Sequence, residues 1–181
     1  MTAIESKSPE LVILVNESNE AIGVAEKLVA HQKNLLHRAF SVFIFRQSRA
    51  GLELLLQQRA LHKYHSPGLW TNTCCSHPRP DESILESSKR RLKEELGFEA
   101  KLKDLGWFKY NAHFNNGLSE HEVDHVLIGM VPRDIDIKIN DAEVHAIRWI
   151  AMADLEQDLE LFPDKYTPWF KEALIIAQRH I

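Results

Sequence analysis

Two adjoining stretches constrain this chain more than anything else in it: Trp70-Thr71-Asn72-Thr73-Cys74-Cys75-Ser76-His77-Pro78, and the charged run that closes on Arg90-Arg91-Leu92-Lys93-Glu94-Glu95-Leu96-Gly97. The first puts a thiol and an imidazole two residues apart. Alternate residues of an extended strand point to one side, so Cys75 and His77 are predicted to face the same pocket. The second predicts a helix from about Glu82 to Leu96, with Asp81 or Ser83 as cap, Gly97 as its end, and Ile84, Leu85, Leu92 and Leu96 as its apolar face. Arg91 and Glu95 are four apart and share a face of that helix, which would turn a cation and a carboxylate toward the thiol.

The flanking sequence alternates strand and helix signals. Leu11 to Val15 is an apolar strand, followed by a turn at Asn16-Glu17-Ser18-Asn19 and a second extended or loop passage. His31 and His37 are six apart. A continuous helix would turn their side chains away from each other, so a shared ligand would need a backbone break near Lys33-Asn34. Phe40 to Phe45 and Leu52 to Arg59 flank Ser48-Arg49-Ala50-Gly51 and predict a hairpin. Strands are predicted at 98–102, 105–110 and 144–150, and a further one entering through Glu120-His121-Glu122, with Glu120 and Glu122 on one side. Met152 to Leu159 is a short helix, and Thr167-Pro168 is expected to open the last one as cap and first-turn proline. Strands in the middle with helices around them give an α+β or mixed α/β/α class.

At 181 residues the chain is read as a single domain, 1–181, with residues 1–10 flexible. Its 44% hydrophobic and 27% charged residues with a net charge of −4 describe an ordinary soluble protein, with no global pull toward nucleic acid or an anionic membrane. Cys74 and Cys75 are neighbours, a poor geometry for a disulfide, so both are read as thiols in the cytoplasm. The first ten residues have no apolar core of the signal-peptide kind, and no uncharged apolar run reaches 18 residues.

Two constellations carry chemistry. His31, His37, His77, Glu120 and Glu122 mix imidazole and carboxylate, which suits Mn, Fe, Zn or Mg, and contain no thiolate of the kind a structural zinc cage uses. Lys27, Arg59, Lys63 and Arg91 are cations suited to phosphate, with Glu95 able to hold Mg against phosphate oxygens. Solvated salt bridges are the alternative for the second set. The remaining histidines, His62, His65, His113, His121, His125, His145 and His180, show no comparable setting.

The helix ending follows the Nudix box, G-x5-E-x7-R-E-U-x-E-E-x-G-U. Glu82, Arg90, Leu92, Glu94, Glu95, Gly97 and Phe98 fit, while Ser76 stands for the first glycine and Arg91 for the first glutamate of the metal-binding set. Together with Pro67-Gly68-Leu69-Trp70-Thr71-Asn72-Thr73-Cys74-Cys75-Ser76-His77-Pro78, Tyr110, Glu120-His121-Glu122 and Thr167-Pro168-Trp169, the chain resembles type 1 isopentenyl-diphosphate isomerase, a branch of the Nudix fold. The resemblance spans about residues 11–170. It implies an α/β/α sandwich with a mixed central sheet and interconversion of isopentenyl and dimethylallyl diphosphate. It also implies a divalent metal (Mn or Mg, with Zn a further candidate) on His31, His37, His77, Glu120 and Glu122, and a substrate-bound Mg at Glu95 and the Cys75 carbonyl. Diphosphate binding falls to Lys27, Arg59, Lys63 and Arg91. The implied partner is a small prenyl diphosphate, with neither nucleic acid nor membrane, and the protein is expected to be a monomer. Cys74 has no role that the resemblance predicts.

Moving a double bond needs an acid, a base and something to hold a tertiary carbocation. Cys75 and Glu122 are expected to be the acid and base, with Glu122 as donor, Tyr110 orienting it, and the order set by direction. The neighbours of Cys75 are expected to favour its thiolate. Trp169, and also Trp70, would offer a π face to the cation. The rival readings are a Nudix hydrolase of a nucleoside or prenyl diphosphate, which loss of a box carboxylate at Arg91 weakens, and a non-catalytic metal-binding module.

Overall fold

One strand organises the sheet. β3 (His37–Ser48) runs parallel to β8 (Ser119–Met130) from His37 beside Glu122 to Phe45 beside Met130. It also pairs antiparallel with β4 (Gly51–Arg59), β6 (Cys74–Ser76) and, at one position, β1 (Leu11–Val15). β2 (Ala21–Glu26) lies outside β1, β5 (Trp70–Thr71) and β9 (Val144–Ala151) pair with β4, and β7 (Leu102–His113) covers β8. The sheet is therefore mixed. The computed structural model describes residues 9–49 and 51–181; most of the predicted flexible start, and Ala50 in the predicted hairpin turn, lie outside the described residues.

Strand alternation divides the core into two layers. Phe40, Val42, Ile44, Leu55 and Leu127 face α2 (Ile84–Leu96) with Leu92 and Leu96, and Phe43, Phe45, Leu54, Leu56 and Val126 face α3 (Met152–Leu161) and α4 (Phe170–Gln178) with Leu155, Phe170 and Leu174. This is the expected α/β/α sandwich.

α2 starts later than the sequence suggests because Ser83 closes a capping box with Glu86: each side chain bonds the other's backbone N–H. Gly97, at φ 75, ends it in the left-handed region. The carbonyls of Glu95 and Leu96 accept from Asn140 and Lys138, so the segment after β8 satisfies the helix end. Leu85 is exposed, against expectation, and Ser88 is buried in its place, bonded to the Ile84 carbonyl.

Other boundaries differ for local reasons. Residues 98–101 are not a strand; Phe98 turns into the core, and pairing begins at Leu102. From there β7 is one strand, interrupted between Asp104 and Trp107 by an irregularity at Gly106, φ 105. Thr167 does not cap α4: its hydroxyl donates to Thr71, and the helix begins at Phe170 after a turn. The predicted break after α1 (Lys27–Gln32) is present, with Asn34 at φ 53.

Candidate active site

Strand register builds the site. His37 of β3, Glu122 of β8 and Tyr110 of β7 lie side by side across three strands, and Ser41 lies beside Cys75. Glu120, Glu122 and Asp124 alternate along one face of β8. Ser41, Cys75, Tyr110, Glu120, Glu122 and Asp124 line one cavity of about 540 Å³ with His77, Arg59, Lys63, Lys27, Arg91, Glu95, Gln57 and Trp169. The predicted cations, carboxylates, thiol and His77 thus meet on one wall system, whereas Trp70 does not: its ring is covered by the Arg148 guanidinium at 4.7 Å.

At one end of the cavity, ligand atoms of His31, His37, His77 and Glu122 all lie within 4.8 Å of one another, and all four residues are buried. The backbone break brings the His31 and His37 ring centres to 5.0 Å. His31 Nδ1 donates to the Ser119 carbonyl and His37 Nδ1 to the Leu35 carbonyl, both at 2.8 Å, which aims each Nε2 into the cluster. His31 Nε2 is buried without a partner, and His37 Nε2 lies 3.2 Å from His77 Nε2. Three Nε2 atoms converging beside a carboxylate, with the His31 and His37 rings each fixed by an outer carbonyl, fit a divalent cation. Glu120 stands just outside this set: His65 Nε2 lies 2.5 Å from one oxygen and the Tyr110 hydroxyl donates to the other at 2.5 Å. Glu95 and Cys75 lie apart from it too, elsewhere on the cavity wall, with Glu95 accepting from Gln57 at 2.8 Å and Arg91 at 2.6 Å.

The electrostatics follow from burial and neighbours. Burial alone would raise the Glu122 carboxyl, yet contacts with His37 (3.3 Å) and His77 (2.9 Å) overcome it and hold the carboxyl well below the usual range. Burial pushes His77 down to about 3, against the pull of Glu122. Tyr110 donates to Glu122 at 2.7 Å, and burial plus the two glutamates keep its hydroxyl protonated.

Cys75 corrects an expectation. Burial, then the Asp124 carboxyl, pushes its thiol up to about 12, so the neutral thiol is favoured over the thiolate. The cations expected to lower it are engaged elsewhere: Lys63 with Glu143, Lys27 with Glu10, and Arg91 with Glu94, Glu95 and Glu143. The thiol donates to Asn72 Oδ1 at 2.9 Å and accepts from Trp169 Nε1 at 3.2 Å. Cys74, on the opposite face of β6, is fully buried in the core.

The sequence reading missed His65, Asn72, Asp124, Gln57 and Glu143. Asp124 continues the alternation that singled out Glu120 and Glu122, so the signal was present. Gln57, like Arg59, projects from the end of β4. His65 lies in the irregular segment between β4 and β5, where no periodicity applies.

The NUDIX domain model matches residues 35–170. An isopentenyl-diphosphate Delta-isomerase of Aliivibrio fischeri is 50% identical over 165 residues, covering 89% of this chain and 91% of its own. One from Photobacterium profundum is 47% identical over 167 residues, covering 91% and 92%. Among solved structures, DR0079 from Deinococcus radiodurans aligns with a TM-score of 0.67 at 18% identity, covering 95% of this chain and all of the other. The MutT protein from Methanosarcina mazei Go1 aligns with a TM-score of 0.57 at 20% identity, covering 78% and 94%. These two likenesses speak to the fold alone. Nearly half of the residues shared along nine-tenths of the length place the sequence more narrowly: the chain belongs to the isopentenyl-diphosphate Delta-isomerases, within the NUDIX fold.

Proposed function

We propose that this protein interconverts isopentenyl and dimethylallyl diphosphate, in isoprenoid biosynthesis, by adding a proton at one end of the allyl unit and removing one at the other. The observation that carries this reading is that the Cys75 thiol and the Glu122 carboxylate line one cavity together with Arg59, Lys63, Arg91 and Lys27; burial favours the neutral thiol, and the histidine contacts favour the ionised carboxylate. Cys75 and Glu122 together carry one transferable proton. One of them protonates the alkene, a tertiary carbocation forms, and the other takes the allylic proton, leaving the pair with the same single proton on the opposite member. Reversing the direction exchanges the roles.

Tyr110 bonds both Glu120 and Glu122 and orients the latter, while Trp169, with its indole N–H on the Cys75 sulfur, turns a π face toward the cation. Arg59, Lys63, Arg91 and Lys27 take the diphosphate, which draws Lys63, Arg91 and Lys27 away from the glutamates they now face. A divalent cation, Mn or Mg with Zn as a further candidate, would be held by His31, His37, His77 and Glu122 with Glu120 beside it, and would supply positive charge that sets the acidity of the Glu122 carboxyl. Glu95 and the Cys75 carbonyl would hold a Mg carried by the substrate. The described residues include no helix long and apolar enough to cross a membrane; we read the protein as a single-domain monomer of the cytoplasm acting on a small diphosphate, a setting in which both free thiols would stay reduced.

Arg91 argues against diphosphate hydrolysis, because it puts a cation, ion-paired to Glu95, where the Nudix box has a carboxylate. Incubation with isopentenyl diphosphate in deuterated water tests the reading. Isomerisation puts deuterium into dimethylallyl diphosphate and leaves the diphosphate whole; release of phosphate without deuterium uptake overturns it.

A further inference from the structure

We propose that His65 is a positioning residue for the cation site: it fixes the Glu120 carboxylate and ties it to Arg59 on the diphosphate wall. This rests on the reading above, in which a divalent cation sits at the His/Glu cluster.

His65 is 7% exposed and Glu120 3% exposed. The imidazole Nε2 lies 2.5 Å from Glu120 Oε1, and Tyr110 occupies the other oxygen, so the carboxylate is gripped from both sides and cannot turn about its last bond. His65 Nδ1 is buried without a partner. Nε2 therefore carries the ring's proton and donates it to Glu120. The backbone of the same residue accepts from Arg59 Nη2 at 3.2 Å. One residue thus touches a carboxylate at the edge of the cation cluster and a cation expected on the substrate's phosphates.

The segment carrying it is held firmly. Asn116 donates to the Tyr64 carbonyl at 2.6 Å, and the His65 ring packs against Tyr64, His31 and Phe114 at centroid distances of 4.8, 5.2 and 5.8 Å. Ser66 sits at φ 49, a left-handed conformation that a non-glycine residue keeps only where its surroundings enforce it. Outer hydrogen-bond partners that orient a ligating group are commonly worth about 10–100-fold in metal affinity.

The test is equilibrium Mn²⁺ binding to the purified full-length protein, read from the electron paramagnetic resonance of free Mn²⁺, with thermal unfolding in parallel. His65→Ala is expected to weaken binding about 10–100-fold. His65→Gln, whose amide nitrogen can stand where Nε2 stands, is expected to restore most of it. His65→Phe keeps the ring packing and drops the donor, and is expected to lose as much as His65→Ala; it serves if the alanine variant does not fold. In a Glu120→Gln background the His65 substitutions are expected to add nothing, because the group they position is gone. Binding as tight as the parent in either folded donor-free variant overturns the inference, as does a loss that adds to that of Glu120→Gln. A parent that binds no Mn²⁺ overturns the cation reading itself.

Discussion

Trp169 offers a quantitative test of how the cavity stabilises charge. Its ring is 3% exposed, its N–H is shared between Cys75 Sγ at 3.2 Å and Asn72 Oδ1 at 3.3 Å, and its face lies 5.6 Å from the Arg59 guanidinium carbon. A desolvated cation–π contact is worth about 2 kcal/mol, roughly 30-fold in rate at about 1.4 kcal/mol per decade. The neutral N–H bonds contribute roughly 1 kcal/mol, or about fivefold. Trp169→Phe keeps a π face and loses the N–H, so kcat should fall about fivefold. Trp169→Leu loses both, and kcat should fall on the order of 100-fold. Leucine also leaves a cavity, at a cost of about 2 kcal/mol, or roughly 4–8 °C in Tm for a chain of this size, so both variants should remain folded at 25 °C. The assay is deuterium incorporation into dimethylallyl diphosphate at saturating substrate. If the leucine variant turns over within twofold of the phenylalanine variant, the indole face does not stabilise the carbocation and the role assigned to it is wrong.

Cys75→Ala and Glu122→Gln should each lower turnover by about 10³-fold or more with the fold retained, whereas Cys74→Ala should cost about 1–2 kcal/mol of stability by denaturant unfolding and little rate. Tyr110→Phe frees one oxygen of Glu120 and one of Glu122 and should lower kcat about 10–100-fold in the same assay. Chelation should abolish turnover and lower Tm, since ligands that bind only the folded state stabilise it; added Mn²⁺ should restore both. Glu122 titrates below its ordinary range when folded, so the stability it contributes is present above the unfolded carboxyl pKa, near 4.3, and lost as pH falls through the lower folded value. Between pH 5 and 3, the Tm of the parent should therefore drop more steeply than that of Glu122→Gln.

The site was readable wherever a period governs it. Two-residue alternation put Cys75 with His77 and Glu120 with Glu122, and the helical spacing of four put Arg91 against Glu95. The six-residue gap between His31 and His37 correctly demanded a break. What escaped depended on depth and on distant partners. No local pattern reveals that Cys75 lies beside Asp124 while the expected cations face Glu143, Glu94 and Glu10, so its thiol was placed on the wrong side of its ordinary value. His65 escaped because an irregular segment has no repeat to betray its direction. Thr167 was misread because its hydroxyl had a competing partner 96 residues away, Thr71, in place of a helix end.

β3 carries an imidazole of the buried His/Glu cluster, the serine beside the thiol and the aromatic wall of the core within one span of twelve residues. Adding or deleting a single residue near its start would invert every side chain on one side of the change relative to its neighbours. Such a chain would not survive as an intact shell with a dead centre. Chemistry and architecture are written in the same phase here, so drift in length is confined to the loops, and new reactivity on this frame has to come by exchanging side chains in place.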